Sequence, residues 1–158
     1  MNRAVLDSSA LLKGIFKPLR SLSPKVYSRE LETHRKCRML IDLIDDREVD
    51  TYIPKCCIVE MAAVSRRLSD KATARAVSRG LLESYEIADE SLFFDTAWMV
   101  AMDTGCSGFD SYFIALDKVK NASLFTDDNG MQLHGKKADV DVILVRELDS
   151  IGIENLFE

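Results

Sequence analysis

Residues 3–14 read RAVLDSSALLKG, and this stretch decides the fold class. Its apolar start, residues 4–6, predicts a short buried strand, which Asp7 ends. Ser8 or Ser9 can cap the helix that the following apolar residues predict. A strand, a polar turn and a helix in this order begin an α/β unit, so we expect the rest of the chain to alternate strands with helices.

The remaining sequence shows that alternation. Further strands are predicted at residues 49–53, 85–88, 122–126 and 142–145, and helices at residues 30–46, 58–68, 70–83, 90–102 and 109–119. Residues 15–29 hold two of the three prolines and four basic groups and predict a long basic loop, whereas residues 149–158 form a weakly patterned tail. The predicted fold class is α/β: a doubly wound, mainly parallel five-stranded sheet with helices on both faces, in a single domain over residues 1–158.

Length and composition exclude several classes of protein. The 158 residues are enough for one domain, and a hydrophobic content of 47% excludes a disordered chain. No apolar run approaches the ~18 residues of a membrane span, and the chain shows no targeting leader, so we expect a cytoplasmic protein. The four cysteines contain no Cys-x-x-Cys pair and only two histidines are present, which indicates neither a disulfide framework nor a zinc site.

The net charge of -5 by itself argues against a nucleic-acid partner, because phosphate attracts basic surfaces. The average hides an uneven distribution. Residues 1–80 hold 16 basic and 10 acidic groups, whereas residues 81–158 hold 5 basic and 16 acidic groups. A basic face and an acidic site can therefore coexist in this chain.

Acidic residues follow four separate predicted elements. Asp7 ends the first strand, and Glu60 lies in the helix after the second strand. Asp110 opens a helix after a glycine-rich break, and the pair Asp127 and Asp128 ends the fourth strand. In a doubly wound sheet, the carboxyl ends of the strands meet at one edge, so these carboxylates can converge. Oxygen ligands without nearby His or Cys suit Mg²⁺ or Mn²⁺, and the chemistry this favours is metal-assisted phosphodiester hydrolysis.

Each acid also has a structural interpretation. Asp7 and Asp110 could cap the helices that follow them, and Glu60 could lie on a solvated helix face. Asp127 and Asp128 could be ordinary turn residues. The occurrence of all of them at the expected edge of the sheet favours a functional site.

Four stretches of the chain resemble the PIN domain family, and more narrowly its short VapC-type toxins. They are AVLDSSALL at 4–12, YIPKCCIVEMAAV at 52–64, SGFDSYFIALD at 107–117 and LFTDDNGM at 124–131. The resemblance implies that four acids are both catalytic and metal-binding: Asp7, Glu60, Asp110 and Asp128. It also implies supporting roles for Ser9 and Thr126, and it leaves Asp127 in a variable place, where it can serve as an alternative metal ligand.

The resemblance further implies a Mg²⁺- or Mn²⁺-dependent endoribonuclease that forms homodimers. Such a protein would be the toxin of a toxin–antitoxin pair, with a small antitoxin as partner, or a PIN ribonuclease of RNA processing. A catalytically idle PIN module that binds RNA or a protein is a further alternative. A phosphatase with Asp7 as covalent nucleophile is disfavoured, because Asp7-Ser8-Ser9 lacks the second acid of an Asp-x-Asp motif.

Two sets of basic residues are candidates for contact with RNA phosphates. The first follows the Asp7 segment: Lys13, Lys17, Arg20 and Lys25. The second recurs near four-residue spacing: Arg66, Arg67, Lys71, Arg75 and Arg79. A solvated helix face is the default interpretation of the second set, and RNA contact is the alternative. In the helix predicted at 90–102, Phe93, Phe94 and Trp98 have the spacing of core residues.

Overall fold

The computed structural model describes residues 3–157. Five parallel strands form one sheet in the order β3-β2-β1-β4-β5. The strands are β1 Arg3–Leu6, β2 Asp50–Pro54, β3 Glu86–Ala88, β4 Ser123–Thr126 and β5 Val142–Leu144. The helices are α1 Ser8–Ile15, α2 Pro24–Asp46, α3 Lys55–Leu68, α4 Lys71–Ser84, α5 Phe94–Thr104, α6 Gly108–Lys120, α7 Asn129–Lys137 and α8 Ser150–Glu154. This is the predicted three-layer α/β/α fold, with an entirely parallel sheet.

The centre of the sheet is β1, which pairs with β2 on one side and β4 on the other. Val5 lies opposite Tyr52 in one neighbour and Leu124 in the other. Val5 and Leu124 are fully buried, because helices cover both faces of the sheet. Short apolar runs without alternation are typical of such strands, which is why the sequence predicts them well.

The direction of winding reverses at β1. From β1 the chain proceeds outward through β2 to β3, and it then returns past β1 to form β4 and β5. Adjacent strands whose connections leave in opposite directions form a crevice at their carboxyl ends. Asp7 follows β1 and Asp127 follows β4, so both lie at this crevice.

The longest helix, α2, packs against α1 at a position without a side chain. A Cβ on Gly14 would meet Cδ1 of Ile41 and lie 3.2 Å from the carbonyl oxygen of Cys37, so only glycine permits this approach. Charged residues cover the outer face of α2. Neither α2 nor any other helix within residues 3–157 is long and apolar enough to cross a membrane.

The basic loop predicted at residues 15–29 is shorter than expected. Helix α1 continues to Ile15 and α2 begins at Pro24, so only residues 16–23 connect them. Proline is favoured in the first turn of a helix, where its missing N–H leaves no backbone acceptor unpaired. The weakly patterned tail also contains helix α8.

The prediction that Phe94 and Trp98 lie in the core is wrong. Their exposed fractions are 52% and 57%, whereas Phe93 is buried. The buried positions of α5 continue from Phe93 through Ala97 and Val100. Since Phe94 and Trp98 each follow an inward position by one residue, the helix rotates them about 100° away from the core.

Candidate active site

Two hydroxyl groups hold the carboxylate of Asp7 at the crevice. Ser9 Oγ donates to Asp7 Oδ2 at 2.5 Å, and Thr126 Oγ1 donates to the same oxygen at 2.6 Å. Asp7 occupies the N-cap position of α1 but forms no side-chain capping bond. The predicted serine cap and the capping interpretation of Asp7 are therefore both wrong, since the serine and the aspartate bond to each other.

The backbone after β4 fixes the direction of these hydrogen bonds. The amide of Asp127 donates to Ser9 Oγ at 2.9 Å, and the amide of Asp128 donates to Thr126 Oγ1 at 3.0 Å. Because an amide can only donate, each hydroxyl oxygen accepts there and is free to give its own proton to Asp7. Within residues 3–157, Oδ1 of Asp7 receives no hydrogen bond, so this oxygen is available to a ligand.

Helix α3 brings Glu60 to the same crevice. Ser8 Oγ donates to Glu60 Oε2 at 2.6 Å and lies 3.5 Å from the sulfur of Cys57, one turn earlier on α3. The hydroxyl thus anchors Glu60 to the first residue of α1. This contact was not predicted, because only the side-by-side packing of α1 and α3 brings Ser8 and Glu60 together.

Asp110 approaches from the first turn of α6. Ser107 is the N-cap of that helix, and its Oγ accepts from the amide of Asp110 at 3.1 Å. The predicted capping role therefore belongs to Ser107. The carboxylate of Asp110 remains half-buried near the N-terminus of α6, where the helix dipole favours a negative charge.

The three carboxylates interact electrostatically. Burial raises the pKa of Asp7 to about 6, the hydrogen bonds from Ser9 and Thr126 oppose that rise, and the charges of Glu60 and Asp110 add to it. Asp7 is therefore held in an environment that disfavours its charged form, and its two carboxylate neighbours contribute to that environment.

Asp127 is buried and engaged in an ion pair. Arg146 contacts both of its carboxylate oxygens, with Nε 2.7 Å from Oδ1 and an Nη 2.9 Å from Oδ2, and also donates to its carbonyl oxygen at 2.6 Å. Lys13 adds a second cation 3.3 Å from Oδ2. Two cations thus compensate this buried charge, which gives Asp127 a structural role at the base of the crevice.

Asp128 is exposed and caps α7. Its Oδ1 accepts from the amides of Gly130 and Met131 at 2.5 and 3.3 Å. The turn interpretation thus holds for this oxygen. The backbone amide of Asp128 reaches Asp7 through Thr126, so the residue borders the same crevice.

The carboxylates around the crevice are of the chemical type that hard cations prefer. Asp7, Glu60 and Asp110 offer oxygen ligands only, and the charges of Glu60 and Asp110 are among the causes that raise the pKa of Asp7. Within residues 3–157, no group of three or more acidic, His or Cys side chains is close enough to enclose a metal ion. Mg²⁺ binds through one or two carboxylates and retains several waters, so it does not require such an enclosure.

The four predicted RNA-contacting residues differ in their surroundings. Lys13 forms ion pairs with Glu30 and Asp127, so carboxylates of the protein already neutralise its charge. Lys17 and Arg20 are exposed in the connection between α1 and α2, and Lys25 is exposed in the first turn of α2. The latter three are free to contact a polyanion.

Ser8 and Arg146 were not among the predicted site residues. Ser8 was considered only as a cap, although it bonds to Glu60. Arg146 follows β5, next to β4, and the order of the sheet carries it to Asp127. A lone arginine after a short strand gives no signal of this role, because the pairing depends on which strand lies beside which.

The fold and the site define a class: a three-layer α/β/α protein with a parallel five-stranded sheet and an acidic crevice between β1 and β4. No protein-family model and no curated protein sequence matches the chain. Among solved structures, the crystal structure of FitAcB from Neisseria gonorrhoeae is similar, with a TM-score of 0.56 and 19% sequence identity. The match covers 92% of this chain and 99% of that chain, and it supports the fold.

Proposed function

We propose that this protein is a metal-dependent endoribonuclease that hydrolyses RNA phosphodiester bonds. The observation that carries the proposal is the arrangement around Asp7: a buried carboxylate with one free oxygen, in electrostatic contact with Glu60 and Asp110 at the crevice. Burying a carboxylate among others costs folding free energy, and such groups are concentrated at functional sites. A purely structural site would pair this charge, as Arg146 does for Asp127.

Mg²⁺ or Mn²⁺ is the proposed cofactor. Asp7, Glu60 and Asp110 would hold it, with Asp128 at the rim as the fourth acid. When bound, such a cation lowers the pKa of a water molecule and stabilises the charge that develops on the phosphate oxygens. The contribution of Ser9 and Thr126 is to fix one oxygen of Asp7, so that the other keeps a defined direction.

Substitution of single acids tests the proposal. Asp7→Asn and Asp110→Asn should each reduce cleavage of a mixed single-stranded RNA by roughly 100-fold or more in Mg²⁺ or Mn²⁺, because each removes a carboxylate ligand. Binding of the same RNA in Ca²⁺ should stay equal or become tighter, since each change removes negative charge. Asp46→Asn, at an exposed end of α2, is the matched control and should leave both properties unchanged. Cleavage that persists in both site variants would contradict the proposal.

The alternative is a PIN module that binds without cutting. Its supporting observation is the set of exposed cations at Lys17, Arg20 and Lys25, which are unpaired within residues 3–157 and would bind RNA whether or not the acids act. Wild-type protein that binds RNA tightly in Ca²⁺ but cleaves none in Mg²⁺ or Mn²⁺ would favour this alternative.

We further propose that the protein is the toxin of a toxin–antitoxin pair. A groove of about 310 Å³ beside Ser9 offers a surface for apolar side chains of an antitoxin. Its apolar lining comes from α1, the following connection and the end of α3: Leu12, Phe16, Pro18, Leu19, Leu22 and Leu68. Expression of the chain should arrest bacterial growth, and co-expression of a small adjacent reading frame should relieve the arrest. A non-toxin ribonuclease of RNA processing would show neither effect.

A homodimer is the proposed oligomeric state. Three apolar side chains at four-residue spacing on α5 are more than half exposed, namely Phe94, Trp98 and Met102. Such a row is a candidate contact surface between two subunits. Sedimentation should give the mass of a dimer, and Trp98→Glu should convert it to a monomer of 17.8 kDa.

A further inference from the structure

We propose that the backbone of the RNA substrate binds along the hairpin formed by α3 and α4; this inference rests on the proposed ribonuclease function. Residues 55–82 carry six basic and two acidic groups, whereas the whole chain has a net charge of -5. The hairpin is thus locally positive within an acidic protein. Local positive charge is the electrostatic requirement for binding phosphate.

Three of these cations line one surface depression. Lys71, Arg75 and Arg79 are all exposed and border a depression of about 440 Å³. Its other lining residues come from both helices and are mostly small: Ala62, Ala74, Ser78 and Leu82. The cations recur every four residues and are therefore about 6 Å apart along α4, a spacing comparable to that between consecutive phosphates of a nucleic acid strand.

The charges of this row are not neutralised. Within residues 3–157, no ion pair joins Lys71, Arg75 or Arg79 to a carboxylate. The neighbouring acid Asp70 caps α4, with its Oδ1 2.7 Å from the amide of Thr73. Several other lysines are bound to carboxylates, namely Lys13, Lys36, Lys55 and Lys120, whereas the charges of this row remain available to a polyanion.

The end of α3 connects this depression to the acidic crevice. Arg66 follows Ala62 by four residues and so lies on the side of the depression, whereas Arg67 follows Glu60 by seven residues and lies on the side of the crevice. Two turns separate Glu60 from Arg67, about 10 Å along the axis. The next residue, Leu68, lines the groove that also contains Ser9. A strand that follows these cations would arrive at the proposed active site.

A nucleic acid fits the depression better than an acidic protein does. Protein interfaces are centred on aromatic or large apolar anchors, and the depression contains no aromatic side chain. Regularly spaced cations over small side chains suit a repeating backbone of phosphates. The hairpin therefore predicts binding that depends on salt and little on RNA sequence.

The test is the salt dependence of RNA binding. Fluorescence anisotropy with a labelled mixed-sequence RNA of about 20 nucleotides in EDTA compares wild type with the variant Lys71→Gln, Arg75→Gln, Arg79→Gln. Loss of three phosphate contacts should lower the slope of log K against log salt by about 2 and weaken binding roughly 10- to 100-fold at low salt. The matched control, Arg35→Gln, Lys136→Gln, Lys137→Gln, removes the same charge from exposed positions of α2 and α7 and should bind within about threefold of wild type.

Each outcome decides a separate point. Equal weakening by both triple variants would show an effect of net charge alone and would overturn the proposal, as would unchanged binding by the hairpin variant. Competition by an acidic peptide as effective as that by RNA would assign the depression to a protein and also overturn it. If the hairpin variant alone loses binding and the wild type cleaves nothing in Mn²⁺, the binding surface stands and the ribonuclease function fails. If the wild type cleaves RNA and the hairpin variant cleaves it with an unchanged KM, the ribonuclease function stands and the proposed binding surface fails.

Discussion

Replacing Asp7 by Asn should make the protein more stable at neutral pH and less dependent on pH. In the folded protein, the pKa of Asp7 is raised from 3.8 to about 6, chiefly by burial. The folded state therefore keeps a proton that the unfolded state loses between these values, so stability falls as pH rises through this interval. Over the whole interval the wild type loses about 3 kcal/mol of folding stability, and about 2 kcal/mol of that loss occurs above pH 4.5.

The measurement is urea unfolding in EDTA at pH 4.5 and pH 8. The free energy of unfolding of Asp7→Asn, relative to that of wild type, should be larger by about 2 kcal/mol at pH 8 than at pH 4.5. For a chain of this length that corresponds to about 4–8 °C in melting temperature. Loss of hydrogen bonds from Ser9 or Thr126 lowers the stability of the variant equally at both values, so the difference between them isolates the charge.

Divalent cations sharpen this prediction. Mn²⁺ should stabilise the wild type by neutralising the carboxylates, and the variant should gain less from it. Asp46→Asn, which changes an exposed acid, should follow the wild type throughout. The reasoning is refuted if the difference between Asp7→Asn and wild type is the same at pH 4.5 and pH 8.

Three further changes test the surrounding fold. Burial raises the pKa of Asp117 to about 7, and within residues 3–157 its Oδ2 has no hydrogen-bond partner. Asp117→Asn should therefore become more stable relative to wild type as pH rises from 4.5 to 8, by about 2 kcal/mol after a discount for solvent screening, and this difference should not respond to Mn²⁺. Arg146→Met leaves Asp127 buried without its main partner and should lower the free energy of unfolding by about 3 kcal/mol, with recovery in the double variant Arg146→Met, Asp127→Asn. Gly135→Ala places a Cβ against Cγ2 of Val142 and 3.2 Å from its Cβ, so it should cost about 1–3 kcal/mol in thermal denaturation, and Val142→Ala should restore part of that loss.

The fold was predictable wherever burial is periodic or continuous. The strands are apolar runs because both faces of the sheet are covered, and each was predicted to within about two residues at either end. Helix α7 was not predicted. Only Met131 and Gly135 are buried in it, and its remaining sequence is polar, so it lacks an apolar stripe; the cap at Asp128 and the contact of Gly135 with Val142 specify it instead.

The positions of the candidate acids relative to strands and helices could be predicted, whereas their partners could not. Asp7 and Asp110 could be placed because strand ends and helix starts can be recognised locally. The partner of Glu60 is Ser8, 52 residues earlier, and that of Asp127 is Arg146, 19 residues later. Contacts over such separations follow from the order of strands and the packing of helices, which no local pattern encodes.

The same limit explains why Asp127 and Asp128 could not be distinguished in advance. Both follow β4 and have the same charge, and the sequence offers either as the fourth acid. In the structure, Asp127 is buried and its carboxylate contacts two cations. Asp128 is exposed, and one of its carboxylate oxygens accepts hydrogen bonds from backbone amides of α7. A buried carboxylate already neutralised by Arg146 has little to gain from a further cation, so Asp128 is the better candidate for a metal ligand.

Charge distribution, rather than net charge, reconciles an acidic protein with the proposed RNA substrate. Screening at physiological salt limits the reach of an exposed charge to about 8 Å. A phosphate on the α3–α4 hairpin is therefore attracted by Lys71, Arg75 and Arg79 and is little repelled by the acidic second half of the chain. Helix α3 borders both surfaces, since Glu60 belongs to the acidic crevice and Arg66 lies on the side of the basic depression. The proposed substrate would thus bind along the α3–α4 hairpin and reach the carboxylates beside Glu60, although a net charge of -5 by itself argues against a nucleic-acid partner.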